Sequence, residues 1–286
     1  MINSMSNKQV RLVANLCGKA KVRREEGLYV VDGLRMCREL EPQDVYAMYV
    51  TGHFAGQPEN KAWLKAYSYE IVTDVVMGVM SDTKTPQGIL AVVRQKNHTL
   101  EQILRGGNAV SAGRTVEAGG TGNAGTSGGT GTGRRAIMVL ETIQDPGNLG
   151  TIIRAGEGAG ITGIIMNRET ADIYSPKVIR STMGSIFRMP FIYVDDLGGS
   201  IKTMKAAGVR FFAAHLDGTN NYDQEDYTDD VGFLIGNEAR GLTDETAGLA
   251  DCYVKIPMAG KVESLNAAVA SSVLMFEMAR QRRNKG

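Results

Sequence analysis

Cysteine and histidine are scarce in this chain, and neither is clustered. Cys17, Cys37 and Cys252 lie far apart without CxxC spacing, and His53, His98 and His215 are isolated. That excludes a disulfide framework and the usual zinc-ligand patterns, so no metal is expected. No apolar run reaches the roughly 18 residues that a membrane-spanning helix needs. The N-terminus also lacks a charged start followed by an apolar signal core, so the expectation is a cytoplasmic protein without a membrane partner. Charge of one sign is missing as well: 32 Lys and Arg balance 31 Asp and Glu, for a net +1. No global field announces a nucleic-acid partner. The 286 residues allow one large or two modest domains, each able to bury a core.

The charge that is present is unevenly placed. The first 24 residues carry Lys8, Arg11, Lys19, Lys21, Arg23 and Arg24 with no acidic residue among them. Such a run is either a patch that meets nucleic-acid phosphates or the solvated face of a helix. Val10, Leu12, Val13, Leu16 and Cys17 give residues 6–20 the period of an amphipathic helix. Strands are expected at 28–31, 45–50 and 88–93, with helices at 32–40, 59–67 and 73–79, which makes residues 1–105 a small α/β domain.

Residues 106–133 differ in kind. Glycine supplies 11 of these 28 residues, and Val110 and Val116 are the sizeable hydrophobes. Burial there cannot offset the entropy of ordering, so the reading is a flexible linker with a random-coil span of about 30 Å. A phosphate-cradling glycine loop would need a following helix and a Lys-Ser/Thr pair, and neither is present.

Beyond the linker, strand-like runs at 136–140, 163–166, 190–194, 210–214, 232–235 and 253–256 alternate with helical patterns. Residues 134–286 are therefore expected to form a mostly parallel sheet covered on both faces. GAGITG at 158–163 matches the dinucleotide fingerprint and raises the possibility of a nicotinamide-dependent dehydrogenase. Its context is wrong, because these glycines close a helix and lead into a strand, whereas the fingerprint follows a strand and opens a helix. Gly160 reads as a helix C-cap.

Three strand ends in this second domain carry unusual polar groups. The first is ETIQDPGNLGTIIR (141–154), where Asn148 and Arg154 serve either as helix cap and surface cation or as site residues. The second is GNEARGL (236–242), in which a carboxylate lies between glycines that permit close backbone approach to a ligand. The third is the loop MAGKVES (258–264), which joins a strand to an apolar helix pattern. Ser264 there is either that helix's N-cap or part of a site.

Together, DPGNLGTIIRAGEGAG (145–160), IGNEARGL (235–242) and IPMAGKVESLNAAVA (256–270) resemble the three motifs of the SpoU family of RNA ribose 2′-O-methyltransferases, within the class of knotted S-adenosylmethionine-dependent enzymes. KVR (21–23), GLYVVDG (27–33) and TPQG (85–88) resemble the substrate-binding domain often attached to them, which has the fold of ribosomal proteins that bind kinked RNA. The resemblance implies an α/β fold with a trefoil knot in the C-terminal sheet and a smaller N-terminal RNA-binding domain. It implies a catalytic set of Asn148, Arg154, Glu238, Ser264 and Asn266. Gly236, Ile256 and Leu265 would lie against S-adenosylmethionine, and the chain would work as a homodimer. Departures are few: Ala239 stands where the family often has glycine, Thr243 where it often has serine, and Asp32 where glutamate is usual.

Those residue types suit the chemistry. Methyl transfer to a ribose hydroxyl requires alignment and stabilisation of a developing alkoxide. Arg154 is a fixed cation that can also clamp a phosphate, whereas a guanidinium is a poor formal base. The kinked-RNA look of the first domain favours ribosomal over transfer RNA. The alternative to an enzyme is a non-catalytic RNA-binding protein of the same fold.

Overall fold

The computed structural model describes residues 1–105 and 133–285. The expected linker, apart from Gly133, lies outside the described residues. Two compact units emerge. The first comprises Met1–Asn97, Gln144–Arg154 and Ala171–Phe187, and the second comprises His98–Ile143, Ala155–Thr170 and Arg188–Gly286.

In the first unit, strands β1 (Leu28–Asp32), β2 (Val45–Thr51), β3 (Tyr69–Val72) and β4 (Ile89–Arg94) form one sheet in the order β1-β4-β2-β3. β4 runs antiparallel to both neighbours, while β2 and β3 are parallel. Helix Lys8–Gly18 begins at Asn7, whose side chain accepts the amide of Gln9, and it buries Val10, Val13 and Leu16. These pack with Val76, Met77 and Met80 of helix Asp74–Met80 against Leu28, Val30, Leu90 and Val92. Each side chain so buried contributes about 1.5–3 kcal/mol before entropy is charged.

Chain segments distant in sequence complete this unit. Arg23 forms an ion pair with Asp172 at 2.7 Å, and Tyr29 packs on Tyr174 with ring centroids 4.6 Å apart. The Tyr174 hydroxyl donates to the Lys96 carbonyl and accepts from its amide. Arg180 pairs with Asp82 at 2.9 Å.

The second unit is a seven-stranded parallel sheet. Its strands are β5 (Ala136–Leu140), β6 (Gly163–Asn167), β7 (Phe191–Val194), β8 (Arg210–Ala214), β9 (Asn220–Asn221), β10 (Val231–Ile235) and β11 (Cys252–Lys255). The order is β7-β6-β5-β10-β8-β11-β9. β5 and β10 are buried along their whole length, as expected for central strands covered on both faces. The six expected strands are all present, and the two-residue β9 is additional. One face of the core joins Ile137, Val139, Ile165, Phe211, Ala213 and Leu234 to Leu197, Ile201 and Met204 of helix Leu197–Ala206. Gly160 closes helix Pro146–Ala159 at φ +85°, as its C-cap reading requires. No helix among the described residues is long and apolar enough to cross a membrane.

Chain order and sheet order diverge after β7. The chain skips past β5 to lay down β8 and β9, then returns to place β10 between β5 and β8, and β11 between β8 and β9. Three adjacent strands, β10, β8 and β11, thus end side by side in loops that point the same way. Such carboxyl-end crevices are where ligands bind in open α/β sheets.

Candidate active site

Those three loops, with the start of the last helix, enclose a cavity of about 400 Å³. Its walls come from the second unit alone: the ends of β8, β10 and β11, the turn Gly236–Leu242, and Glu263, Ser264, Leu265, Ala267 and Ala270. A volume of this order, with apolar walls and a few polar groups, accommodates a small organic ligand. Gly236, Ile256 and Leu265, the residues expected against the cofactor, all line it. Glu238 and Ser264 of the expected catalytic set line it too.

The turn that carries Glu238 is built around glycine and asparagine. A Cβ on Gly236 would collide with the backbone of Gly241 and Leu242, so only glycine lets the chain fold back so closely. Asn237 and Gly241 exchange two backbone hydrogen bonds, at 3.0 and 2.9 Å. The Asn237 Oδ1 accepts the amides of Ala239 at 3.0 Å and Arg240 at 3.1 Å. Glu238 projects to solvent at the tip.

Below this turn lies Glu141, 8% exposed at the end of β5. Its carboxylate accepts the Thr243 amide at 2.8 Å and the hydroxyls of Thr243 and Thr246 at 2.9 and 2.5 Å. A buried carboxylate needs such donors to offset desolvation. The threonine at 243, where serine is more usual, supplies the hydroxyl equally well. Sequence reasoning assigned no role to Glu141 or Asn237. Their signals were a charge directly after five apolar strand residues, and an amide next to a glycine at a strand end.

The last helix begins at Ala267, and its cap decides between the two alternatives left open for Ser264. Asn266, not Ser264, is the N-cap: its Oδ1 accepts the amides of Ala268 at 2.9 Å and Val269 at 3.3 Å. A side-chain acceptor one residue before the helix reaches those amides, whereas Ser264 sits farther out, exposed on the cavity wall. Asn266 does not line the cavity.

Asn148 and Arg154 belong to the segment grouped with the first unit. The helix they occupy is capped by Asp145, not by Asn148. The Asp145 carboxylate accepts the Asn148 amide at 2.8 Å, and its carbonyl accepts that of Leu149 at 3.1 Å. The Asn148 amide and, after it, Lys177 hold the Asp145 carboxyl below its ordinary range. A Cβ at Gly150 would strike Ser181 and approach the Val178 carbonyl at 3.0 Å, so this glycine permits close helix packing. Arg154 is exposed on the helix surface.

Of the six basic residues near the N-terminus, Lys8, Arg11, Lys19, Lys21 and Arg24 are exposed. Arg23 is not, and its assignment to RNA contact is corrected. It is 4% exposed; Nε and Nη2 donate to Asp172 at 2.9 and 2.7 Å, and Nη1 donates to the carbonyls of Leu16 and Cys17 at 2.5 and 3.1 Å. A guanidinium committed to these partners cannot also meet a phosphate. Among the described residues, no group of three or more His, Cys, Asp or Glu side chains is placed to hold a metal ion.

Comparison with known proteins agrees with this geometry. Residues 135–276 match the SpoU rRNA Methylase family, and residues 7–91 match the MRM3-like substrate binding domain. The 23S rRNA (uridine(2479)-2′-O)-methyltransferase of Streptomyces viridochromogenes is 39% identical over 142 residues, covering 48% of this chain and 50% of that protein. The 23S rRNA (guanosine(2553)-2′-O)-methyltransferase RlmP of Bacillus subtilis is 32% identical over 150 residues, covering 50% and 58%. The chain thus spans between half and three fifths of the length of these curated relatives. Over nearly the whole fold, an AdoMet-bound rRNA methyltransferase from Sinorhizobium meliloti superposes with a TM-score of 0.77 at 29% identity, covering 98% of this chain and 97% of that one. With both of its parts matched in order, the chain belongs to the SpoU rRNA methylase family, its methylase domain preceded by an MRM3-like substrate-binding domain.

Proposed function

We propose that this protein transfers a methyl group from S-adenosylmethionine to a ribose 2′-hydroxyl of ribosomal RNA. The observation that carries the reading is the cavity at the ends of β8, β10 and β11, walled by the three residues expected against the cofactor and by Glu238 and Ser264. Its fit is chemical as well as spatial. Ile235, Leu242, Ile256, Met258 and Leu265 offer an apolar wall, and the backbone edge beside Gly236 offers hydrogen-bonding groups without side-chain bulk. When bound, the cofactor supplies a sulfonium methyl poised for in-line displacement. The relatives named as 23S rRNA 2′-O-methyltransferases support ribosomal RNA as the substrate class.

In this reading Arg154 would stabilise the ribose oxygen as its proton departs to solvent and the methyl passes to it from the sulfonium, whose S–CH₃ bond breaks to leave a neutral thioether. It acts as a fixed cation and not as a base. Asn148, Ser264 and Asn266 offer hydrogen-bonding groups to the ribose or to the methionine carboxylate. Glu238 places a carboxylate at the cavity edge. Residues 1–105 serve as the substrate-binding domain and 134–286 as the methylase domain, with Lys8, Arg11, Lys19, Lys21 and Arg24 meeting phosphates.

The knot implied by the resemblance belongs to the same proposal, with helix Ala267–Lys285 as its threaded end. So does a homodimer. Supporting it, Val269 and Phe276, seven residues apart on that helix, are 49% and 52% exposed, leaving an apolar stripe in water.

Arg154→Ala tests the assignment. Methyl transfer should fall below detection while calorimetry shows S-adenosylmethionine affinity nearly unchanged, and near wild-type turnover would refute it. Mapping lost ribose methylation across total RNA from a strain lacking the protein would name the nucleotide.

A further inference from the structure

The turn carrying Glu238 is tied to a backbone position that is uncommon for its residue type. Thr142, directly after Glu141, has φ +59°, a region that β-branched residues rarely occupy. It is held there from two sides. Asn167, at the end of β6, accepts the Thr142 amide on Oδ1 at 2.8 Å and donates Nδ2 to its hydroxyl at 2.8 Å. Thr170 in turn donates its hydroxyl to Asn167 Oδ1 at 2.8 Å and accepts the Ile143 amide at 3.3 Å. In this conformation the Thr142 carbonyl receives Nδ2 of Asn237 at 2.9 Å. Asn237 is thus used at both ends: Oδ1 shapes the turn from within, and Nδ2 fastens it to the end of β5.

We propose that Asn237 is a positioning residue for methyl transfer, and that it works through Thr142. Its amide fixes where Gly236 and Glu238 stand on the cavity wall, and Asn167 keeps Thr142 in the one conformation that offers the carbonyl. Backbone strain of this sort persists only where surroundings over-determine it. Here the two asparagines and Thr170 do so. The catalytic part of this inference rests on the methyltransferase reading, whereas the structural part does not.

The test uses the full-length protein with S-adenosylmethionine and ribosomal RNA. Asn237→Asp is nearly isosteric: it keeps the acceptor for the amides of Ala239 and Arg240 but sets an anion where the donor to Thr142 stood. We expect kcat to fall about tenfold to a hundredfold, the upper figure being what a misplacement of about 1 Å can cost, with cofactor Kd changed less than about threefold. Asn167→Ala should also lower kcat. Combined with Asn237→Asp it should lower kcat by much less than the product of the two single losses, because both act on one peptide. Losses that multiply, or near wild-type kcat in Asn237→Asp, would overturn the proposal.

If Asn237→Asp fails to fold, Asn167→Ala against Asn167→Ala/Thr142→Gly decides. Glycine takes a positive φ without strain, so the double variant should regain at least about threefold in kcat, and no regain overturns the clamp. Amide hydrogen exchange separates the two readings. A wild-type protein that neither binds S-adenosylmethionine nor methylates RNA refutes the function. The clamp then stands if exchange at Thr142 and Gly241 accelerates in Asn237→Asp and falls if it does not.

Discussion

Arg23 and Arg24 are neighbours of the same residue type, and the structure gives them opposite fates. Replacing Arg23 with methionine keeps an apolar stem but strips the donors from Asp172 and from the carbonyls of Leu16 and Cys17. Breaking a buried ion pair by removing one partner costs about 3–5 kcal/mol. The Asp172 side chain is 24% exposed, so its carboxylate regains some water and the lower end, about 3 kcal/mol, is expected. At roughly 2 °C per kcal/mol for a protein of this size, the melting temperature should drop by about 5–6 °C. Arg23→Met/Asp172→Asn should recover part of that, since no carboxylate is then left without its cation and the side-chain oxygen that accepts the Tyr174 amide is kept, although the two carbonyls still lack a donor. Arg24→Ala should melt like wild type yet weaken RNA binding, with the log–log salt slope reduced by about 0.7 to 0.9. Differential scanning calorimetry and salt-dependent RNA titrations supply both numbers. Were Arg23→Met to keep its melting temperature and lose one unit of salt slope, the buried assignment of this arginine would be wrong.

Gly236→Ala should abolish cofactor binding in calorimetry while far-ultraviolet circular dichroism stays native, because the added methyl collides with the backbone of Gly241 and Leu242 in the turn that walls the cavity; wild-type affinity would show the turn is not the cofactor's wall. Phe276→Glu should convert the proposed homodimer to a monomer in light scattering at micromolar concentration without lowering the monomer's unfolding free energy by more than about 1 kcal/mol; a variant that remains dimeric places the interface elsewhere, and a monomeric wild type refutes the homodimer. Burial, reinforced by Asp82 and Asp32, pushes the Cys17 thiol up to about 12, and burial raises those of Cys37 and Cys252 as well. All three should therefore react slowly with a disulfide reagent at pH 8 until the protein is denatured. For Cys17 the folded state favours the protonated thiol, so the stability it contributes is complete below about pH 9 and declines as pH rises towards 12. Rapid labelling of Cys17 in native protein would contradict its burial.

The parallel sheet was legible because its strands are short apolar runs without alternation, the signature of burial on both faces. β9 was missed because two asparagines carry no such signal, and they pair only where β11 passes beside them. β3 was missed for a related reason. Tyr69 and Glu70 are exposed and its burial falls mainly on Val72, so no period of two shows in four residues. The basic run was half legible: composition located it, but it could not say that the position of Arg23 turns its head inward while Arg24 faces water.

In the candidate site, the residues that sequence pattern picked out are those whose chemistry is visible in isolation, a carboxylate between glycines or an arginine after a proline-bearing turn. The residues it missed, Glu141, Asn167 and Asn237, act on backbone groups of other segments, and no local pattern records such partners. Their importance follows from topology. β10 is laid between β5 and β8 late in the chain, so the turn after it must be fastened to a neighbour laid down about a hundred residues earlier. Glu141 does this through Thr243 and Thr246, and Asn237 through Thr142. A parallel strand inserted between two others gains its ladder bonds only as far as its own end. The loop beyond is held by side chains, and in a site that works by alignment those side chains govern rate as well as stability.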